Sequence, residues 1–301
     1  MAAASFKHRF KAWWEGYEIE PSDRRAETTE RNTVRRTLKC RYEPDVEVSH
    51  LIFGEGRTLP MEADPLGGFA QPVENPFGMV TLLLGVETGA PVVELVQKYS
   101  VQLTALEPDR RRAAAGDQLL RDTPDLKPAR IGPVDVANVE LSPNKYHLVL
   151  ARLILHRFDE REFLYRKFER ALRRGGQFIP TQFLVADEKA RDEVARQMKS
   201  TMEPDLPHLS SLAEEQRMLT ELGLIPVLME DLTERMLTQL TERFSVWKEL
   251  VERIARYEQQ PRMLQALLAL VEHWQSRINL MKSGDLLVCR LQVEKRRNEL
   301  N

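Results

Sequence analysis

Cysteine is scarce in this chain: two residues in 301, Cys40 and Cys289. They stand far apart in different contexts, which argues against a disulfide framework or a zinc site and fits a reducing compartment. Long apolar runs are missing too. The longest, such as "HLVLARLIL" (His147–Leu155), fall far short of the roughly 20 residues that cross a bilayer. No sign of charge dominates: 44 Lys and Arg against 46 Asp and Glu leave a net charge of −2. That removes the global electrostatic reason to expect nucleic acid. The opening "MAAASFKHRFKAWW" lacks a continuous apolar core and a cleavage site, so it does not read as a secretory signal and the expected location is cytoplasmic.

Enough apolar sequence remains, 42% of residues, to build a sizeable core. Residues 4–17 place Phe6, Phe10, Trp13 and Tyr17 at helical spacing with Lys7, Arg9 and Lys11 around them, which predicts a short amphipathic helix. Two roles are open to it: docking on its own domain, or recruiting a protein partner or membrane surface. Glu20–Arg36 is a charged linker or exposed helix. The stretch "TLKCRYEPDVEVSHLIFGEG" reads as one or two short extended pieces, and "PMEADPLGGFAQPVENPFG" as loop.

From Met79 onward strand and helix patterns alternate. "MVTLLL" is a continuous apolar run closed by glycine, as in a strand covered on both faces. "APVVELVQKY", "VQLTALE", "DRRRAAAGDQLLRD", "ARIGPVDV", "YHLVLAR", "EFLYRKFERALRR" and "GQFIPTQFL" continue as helix, strand, helix, strand, strand, helix, strand. Helical stretches at 187–202 and 211–222, a strand in "LIPVLMED", two long helices at 232–258 and 262–282 and a strand in "DLLVCRLQVEK" complete the chain. This pattern predicts a doubly wound, mostly parallel α/β sheet.

Four landmarks, in order, carry a family resemblance. They are "LIFGEG", "LLGVETGAPVVELVQKYSVQLTALEPD", the stretch from Val134 to Leu184, and the pair "LTELGLIPVLMEDLTERM" and "HWQSRINLMKSGDLLVCRLQVEK". From about Leu51 to Lys295 the chain resembles the class I S-adenosylmethionine-dependent methyltransferases, nearest the small-molecule branch with the sarcosine and phosphoethanolamine N-methyltransferases. The resemblance implies seven strands in the order 3-2-1-4-5-7-6, the last antiparallel, with C-terminal lid helices, and the N-terminal helix read from its spacing is an addition to that fold. It divides the chain into residues 1–50, an N-terminal helix and charged linker, and 51–301, a methyltransferase-like domain with helical insertions at 187–222 and 232–282.

It also implies a cofactor site at the carboxyl ends of the strands. Gly85 and Gly89 match the outer glycines of the family's first loop, Glu107 the ribose acid and Asp135 the acid near adenine. Leu83 and Glu87 depart from it, standing for an acid and the central glycine. Around the rim, His147, Arg174 and Gln182 depart as well. A carboxylate from Glu87 projecting into the cradle needs a cation beside it, and the expected one lies in Arg110–Arg112. His156, in "LILHRF", stands where family members place a residue facing the substrate, but a lone histidine is a weak signal. For His273 and Trp274, packing is favoured over ligand binding.

No catalytic set or metal set stands out. The expected function is a pseudoenzyme in binding, scaffolding or regulation, with S-adenosylmethionine binding lost at Leu83 and Glu87. The alternative is an active S-adenosylmethionine-dependent methyltransferase on a small metabolite. A protein partner is expected through Phe6, Phe10, Trp13 and Tyr17, with peripheral membrane contact as a variant; no nucleic acid is expected, and a homo-oligomer stays open.

Overall fold

The computed structural model describes residues 41–68, 73–123, 126, 131–133, 135, 138–254 and 260–296. Phe6, Phe10, Trp13 and Tyr17 lie outside the described residues, as does most of the 1–50 segment.

The chain begins with helix α1 (Pro44–Phe53), followed by an irregular strap through residue 68. Strand β1 (Val80–Leu84), α2 (Ala90–Tyr99), β2 (Gln102–Glu107), α3 (Arg110–Asp122) and β3 (Ile131–Pro133) form one half of a doubly wound sheet. The other half holds β4 (Tyr146–Arg152), α4 (Arg161–Ala171) and β5 (Leu172–Val185). Next come α5 (Arg191–Met198), α6 (Leu212–Glu221), β6 (Leu224–Asp231), α7 (Thr233–Phe244), α8 (Trp247–Ile254), α9 (Gln260–Ser283) and β7 (Leu286–Lys295). The seven strands lie in the order β3-β2-β1-β4-β5-β7-β6. All pairings are parallel except those of β7, which runs antiparallel to both β5 and β6.

Local sequence explains most of these elements. The β1 run Leu82–Leu84 is fully buried because helices cover both faces of a parallel sheet. Helix α3 starts where Asp109 accepts the backbone N–H groups of Arg111 and Arg112 at 2.8 and 3.1 Å. Helix α6 starts with a capping box between Ser211 and Glu214. One core cluster, with Leu82, Leu84, Tyr165 and Phe168, lies on one face of the sheet; another, with Leu83, Val92, Leu95 and Leu150, lies on the other. A third, with Phe53, Phe183, Leu240, Leu267 and Trp274, packs α1, α7 and α9 over the carboxyl ends of β5 and its neighbours.

Three local expectations need correction. "PDVEVSHLIF" is a helix rather than extended chain: Pro44 opens it, Asp45 and Glu47 occupy its first turn, and Gly54 ends it at φ 103°. Its β-branched residues suggest a strand, but Val46, Val48, Ile52 and Phe53 are buried against tertiary neighbours. The boundary expected at residue 51 falls inside this helix. The helix expected over 232–258 breaks at Ser245–Val246 into α7 and α8. The helix expected through Arg174 ends at Ala171 and β5 begins at Leu172, ahead of the strand start expected at Gly176; the Gly175–Gly176 pair is therefore not a turn between them. It lies inside β5, where Gly175 has φ 70° and the β4–β5 register shifts between Tyr146 and Leu148.

Candidate functional site

The site is built at the carboxyl end of β1, where the chain turns through Gly85–Gly89 into α2. Gly85 has φ +77°, and a Cβ there would lie 2.7 Å from the carbonyl oxygen of Arg152, so only glycine fits this turn. Gly89 begins α2 with φ +107°. Between them Glu87 also takes a left-handed conformation, φ 59°, which costs an L side chain roughly 1–2 kcal/mol.

Its carboxylate offsets that cost. Glu87 is 3% exposed, and its Oε2 accepts the backbone N–H groups of Thr58 and Leu59 at 2.7 and 2.9 Å. Its Oε1 receives Nη2 of Arg152 at 2.9 Å. Hydrogen bonds to a charged group are worth roughly 1.5–3 kcal/mol each. Arg152 ends β4, is 4% exposed, and also donates to the carbonyl of Glu62 at 2.8 Å. An arginine therefore does neutralise Glu87, but the expected run is the wrong one. Arg111 instead pairs with Asp45 at 3.3 Å. The lone charge inside "HLVLARLIL" was the available signal: an arginine in a buried strand needs a partner.

Glu107, at the end of β2, is 1% exposed. One oxygen accepts the backbone N–H of Glu87 at 3.1 Å and the other that of Asp109 at 3.2 Å. Burial pushes this carboxyl up to about 7, against the pull of Arg112 and the Asp109 N–H. Asp135 follows β3 on an exposed loop and accepts Nδ2 of Asn138 at 2.5 Å. The fold thus gathers Gly85, Gly89, Glu87 and Glu107 at one turn, with Asp135 following the neighbouring strand. Leu83 is not in the cradle; it is fully buried in the core cluster with Val86, Val92 and Leu95.

The rim residues are structural in their contacts. His147 Nδ1 accepts the N–H of Val80 at 3.1 Å, tying β4 to β1. Gln182 is fully buried beside the Tyr165 hydroxyl, at 3.3 Å. Arg174 lies on an exposed part of β5.

A second polar cluster sits past the ends of β4 and β5. His156 packs on Phe183 at 5.3 Å and meets Glu203 at 3.4 Å. Arg277 of α9 donates to Glu203 at 2.5 Å, and Ser200 meets His273 at 3.0 Å. Burial holds His156 and His273 below the ordinary histidine range, so both are neutral at pH 7. Burial also opposes ionisation of Glu203, but the contacts with His156 and Arg277 outweigh it and keep the carboxylate charged. His156 is 3% exposed, closed off rather than facing an open substrate cavity.

Residues 82–179 match the methyltransferase domain family model. The seven-stranded sheet has the class I methyltransferase fold, and the domain match covers about a third of the chain, from β1 into β5. Among solved structures it is similar to Haemonchus contortus phosphoethanolamine N-methyltransferase 2 in complex with phosphomonomethylethanolamine and S-adenosylhomocysteine. That match has TM-score 0.67 and 17% identity, and covers 84% of this chain and 57% of that one. A putative sarcosine dimethylglycine methyltransferase from Galdieria sulphuraria matches with TM-score 0.59 and 15% identity, over 73% of this chain and 78% of that one. A Streptomyces coelicolor geranyl diphosphate C-methyltransferase, solved with Mg2+, geranyl diphosphate and S-adenosylhomocysteine, matches at TM-score 0.53 and 13% identity, over 72% of each chain. The chain thus spans little more than half the length of the Haemonchus protein. No curated protein matches it.

The class I methyltransferase fold implies S-adenosylmethionine at this turn. In the arrangement described, the residues do not fit it. Glu87 fills the loop and the strap backbone caps it, whereas Glu107, with one main-chain N–H on each oxygen, keeps acceptor capacity to spare.

Proposed function

We propose that this chain is a class I methyltransferase-fold protein whose cofactor cradle is held shut by its own Glu87 and Arg152, and that it acts by binding, scaffolding or regulation. The observation that carries this reading is the buried 2.9 Å ion pair at the cradle. A desolvated carboxylate and guanidinium are stable there only while each keeps the other. A cofactor entering the loop would have to displace the pair and the strap above it. The N-terminal aromatic residues Phe6, Phe10, Trp13 and Tyr17 supply the docking element for a protein partner. A cytoplasmic location, with recruitment through that element, goes with the reading; no helix among the described residues is long and apolar enough to cross a membrane.

The second reading is an active S-adenosylmethionine-dependent methyltransferase on a small metabolite. Gly85, Gly89 and Glu107 favour it, and so do the comparisons, since similar folds were solved with S-adenosylmethionine or S-adenosylhomocysteine. The loop geometry favours the first reading, and the comparisons favour the second. Calorimetry of the full chain with both compounds separates them: the first reading expects no heat of binding, and micromolar affinity for either compound would sink it.

A further inference from the structure

The end of the sheet opposite the cradle has a chemistry of its own. There the amino ends of β4 and β5 meet the last residues of α4 and β7. The N–H groups of Asn144 and Lys145 donate to the carbonyls of Arg170 and Ala171, and Lys295 Nζ donates to those of Glu169 and Leu172 at 2.7 and 2.9 Å. β5 bulges at this point: Tyr146 pairs with Leu172 and Leu148 with Gln177, so Arg173–Gly176 stands opposite His147 alone. Glycine permits the bulge. Gly175 has φ 70°, and a Cβ on Gly176 would lie 2.8 Å from the carbonyl oxygen of Arg173. Bulges re-aim side chains, and this one presents Arg173 to solvent.

Lys145, Arg170, Arg173 and Arg296 are all exposed on this end. Among the described residues none of them has a carboxylate partner: Lys145 lies over the Tyr146 ring at 5.0 Å, and Arg173 reaches His147 instead. Burial and Arg173 itself hold His147 below the ordinary histidine range, so it is neutral at pH 7 and offsets no charge. Lys295 does not enter this balance, because Glu169 pairs with it at 3.0 Å. Arg174 and Glu294 do not enter it either, since each has partners of its own. Glu74, Glu140 and Glu221 are exposed in adjoining segments and lower the net charge of this end, but they leave those cations without a neutralising contact.

An apolar element stands beside the cations. Phe77, in the loop leading into β1, is 62% exposed, more than any other large apolar side chain among the described residues. Its ring meets only the edge of Tyr99 at 6.0 Å. The bond from the Val80 N–H to His147 ties the start of β1 to the bulged segment, so Phe77 and Arg173 belong to one end of the molecule.

We propose that this end is a docking face for an anionic phospholipid surface. Lys145, Arg170, Arg173 and Arg296 meet the lipid phosphate and carboxylate groups, and Phe77 enters the headgroup layer. Aromatic and basic side chains side by side are the combination that interfacial binding uses. Near an anionic bilayer each basic residue adds about fivefold in affinity. A planar membrane touches one end of the molecule only, whereas an extended polyanion would also meet the rest of a chain whose net charge is −2. The face lies away from the cradle and does not rest on the cradle being shut, and it is distinct from the aromatic segment at residues 4–17.

The test is co-sedimentation of the full chain with vesicles of phosphatidylcholine alone or of phosphatidylcholine and phosphatidylserine in equal parts. The expected result is binding to the mixed vesicles only, reversed by added sodium chloride. Arg170→Gln with Arg173→Gln should weaken it by about 25-fold, while Arg196→Gln with Arg262→Gln, the same charge change on α5 and α9, should leave it unchanged. Phe77→Ser should weaken binding without altering its salt dependence. All these positions are exposed, and thermal melts establish that the variants fold. Failure of the wild type to bind the mixed vesicles overturns the proposal, and so do equal losses in the two arginine pairs. Binding lost only on deletion of residues 1–19 would transfer the role to that segment and overturn it as well. Capture by polyglutamate through Arg170 and Arg173, with no vesicle binding, would replace the lipid by an acidic protein. S-adenosylmethionine binding by the same chain would sink the closed-cradle reading and leave this face standing.

Discussion

The Glu87 carboxylate and the Arg152 guanidinium meet at 2.9 Å, 65 positions apart in the chain and with side chains only 3% and 4% exposed. One comes from the loop after β1 and the other from the end of β4, neighbouring parallel strands. The pair joins the cradle to the strap, because Glu87 also holds Thr58 and Leu59 while Arg152 holds Glu62.

Removing one partner should therefore cost more than removing both. Arg152→Met leaves a buried carboxylate uncompensated and should destabilise the chain by roughly 3–5 kcal/mol. Glu87→Gly with Arg152→Ser should recover more than half of that loss, since glycine also relieves the left-handed backbone at position 87. Urea denaturation of the single and double variants measures the coupling, and additive losses would show that the pair is not a unit.

The same double variant should open the cradle. Weak S-adenosylmethionine binding by Glu87→Gly/Arg152→Ser, absent from the wild type, is the calorimetric outcome expected if this pair closes the site. Leu83→Asp is a poor addition. Position 83 is fully buried among apolar side chains, and an unpaired carboxyl there should cost several kcal/mol. No binding by the double variant would assign closure to the strap as a whole.

Glu107 gives a pH signature. Its folded-state value is raised to about 7 from 4.5, so the folded chain binds more protons than the unfolded chain between those values. Stability from this group is present at low pH and is lost as pH rises through about 7, on the order of 3 kcal/mol in all. Glu107→Gln should thus gain on the wild type between pH 5 and 8. Chemical melts across that range measure the gain; a constant difference would contradict the assignment.

His273 and His156 act with the opposite slope. Both are held below their ordinary value of 6.5 by burial, so the unfolded chain takes up protons first. Their stability is present above about pH 6.5 and is lost as pH falls below it. His273→Gln should flatten that acid limb, with the loss at pH 5.5 relative to pH 7.5 smaller than in the wild type.

Deleting residues 1–19 tests the recruiting role of Phe6, Phe10, Trp13 and Tyr17. A melting temperature unchanged within a degree, with loss of partner capture, is expected. A fall of several degrees would place that segment in the folding core and remove the docking role.

The sequence alone determined the sheet. A continuous apolar run before Gly85 and alternating helical and extended patterns specify buried parallel strands, because helices must cover both faces. The lone cation Arg152 in an apolar run and the glutamate at position 87 were both visible there, and the need for a partner followed from the cost of a buried charge. Only the tertiary structure decided which arginine answered. Arg110–Arg112 are near Glu107 in sequence, but α3 starts beyond the cradle and turns Arg111 toward Asp45. β4 instead lies beside β1 and delivers Arg152 to the loop. Helix α1 was hidden for a similar reason: β-branched residues favour a strand locally, and burial against α7 and α9 overrides that preference. The strap gave no periodic signal at all, since its position is fixed by side chains of distant elements donating to its backbone.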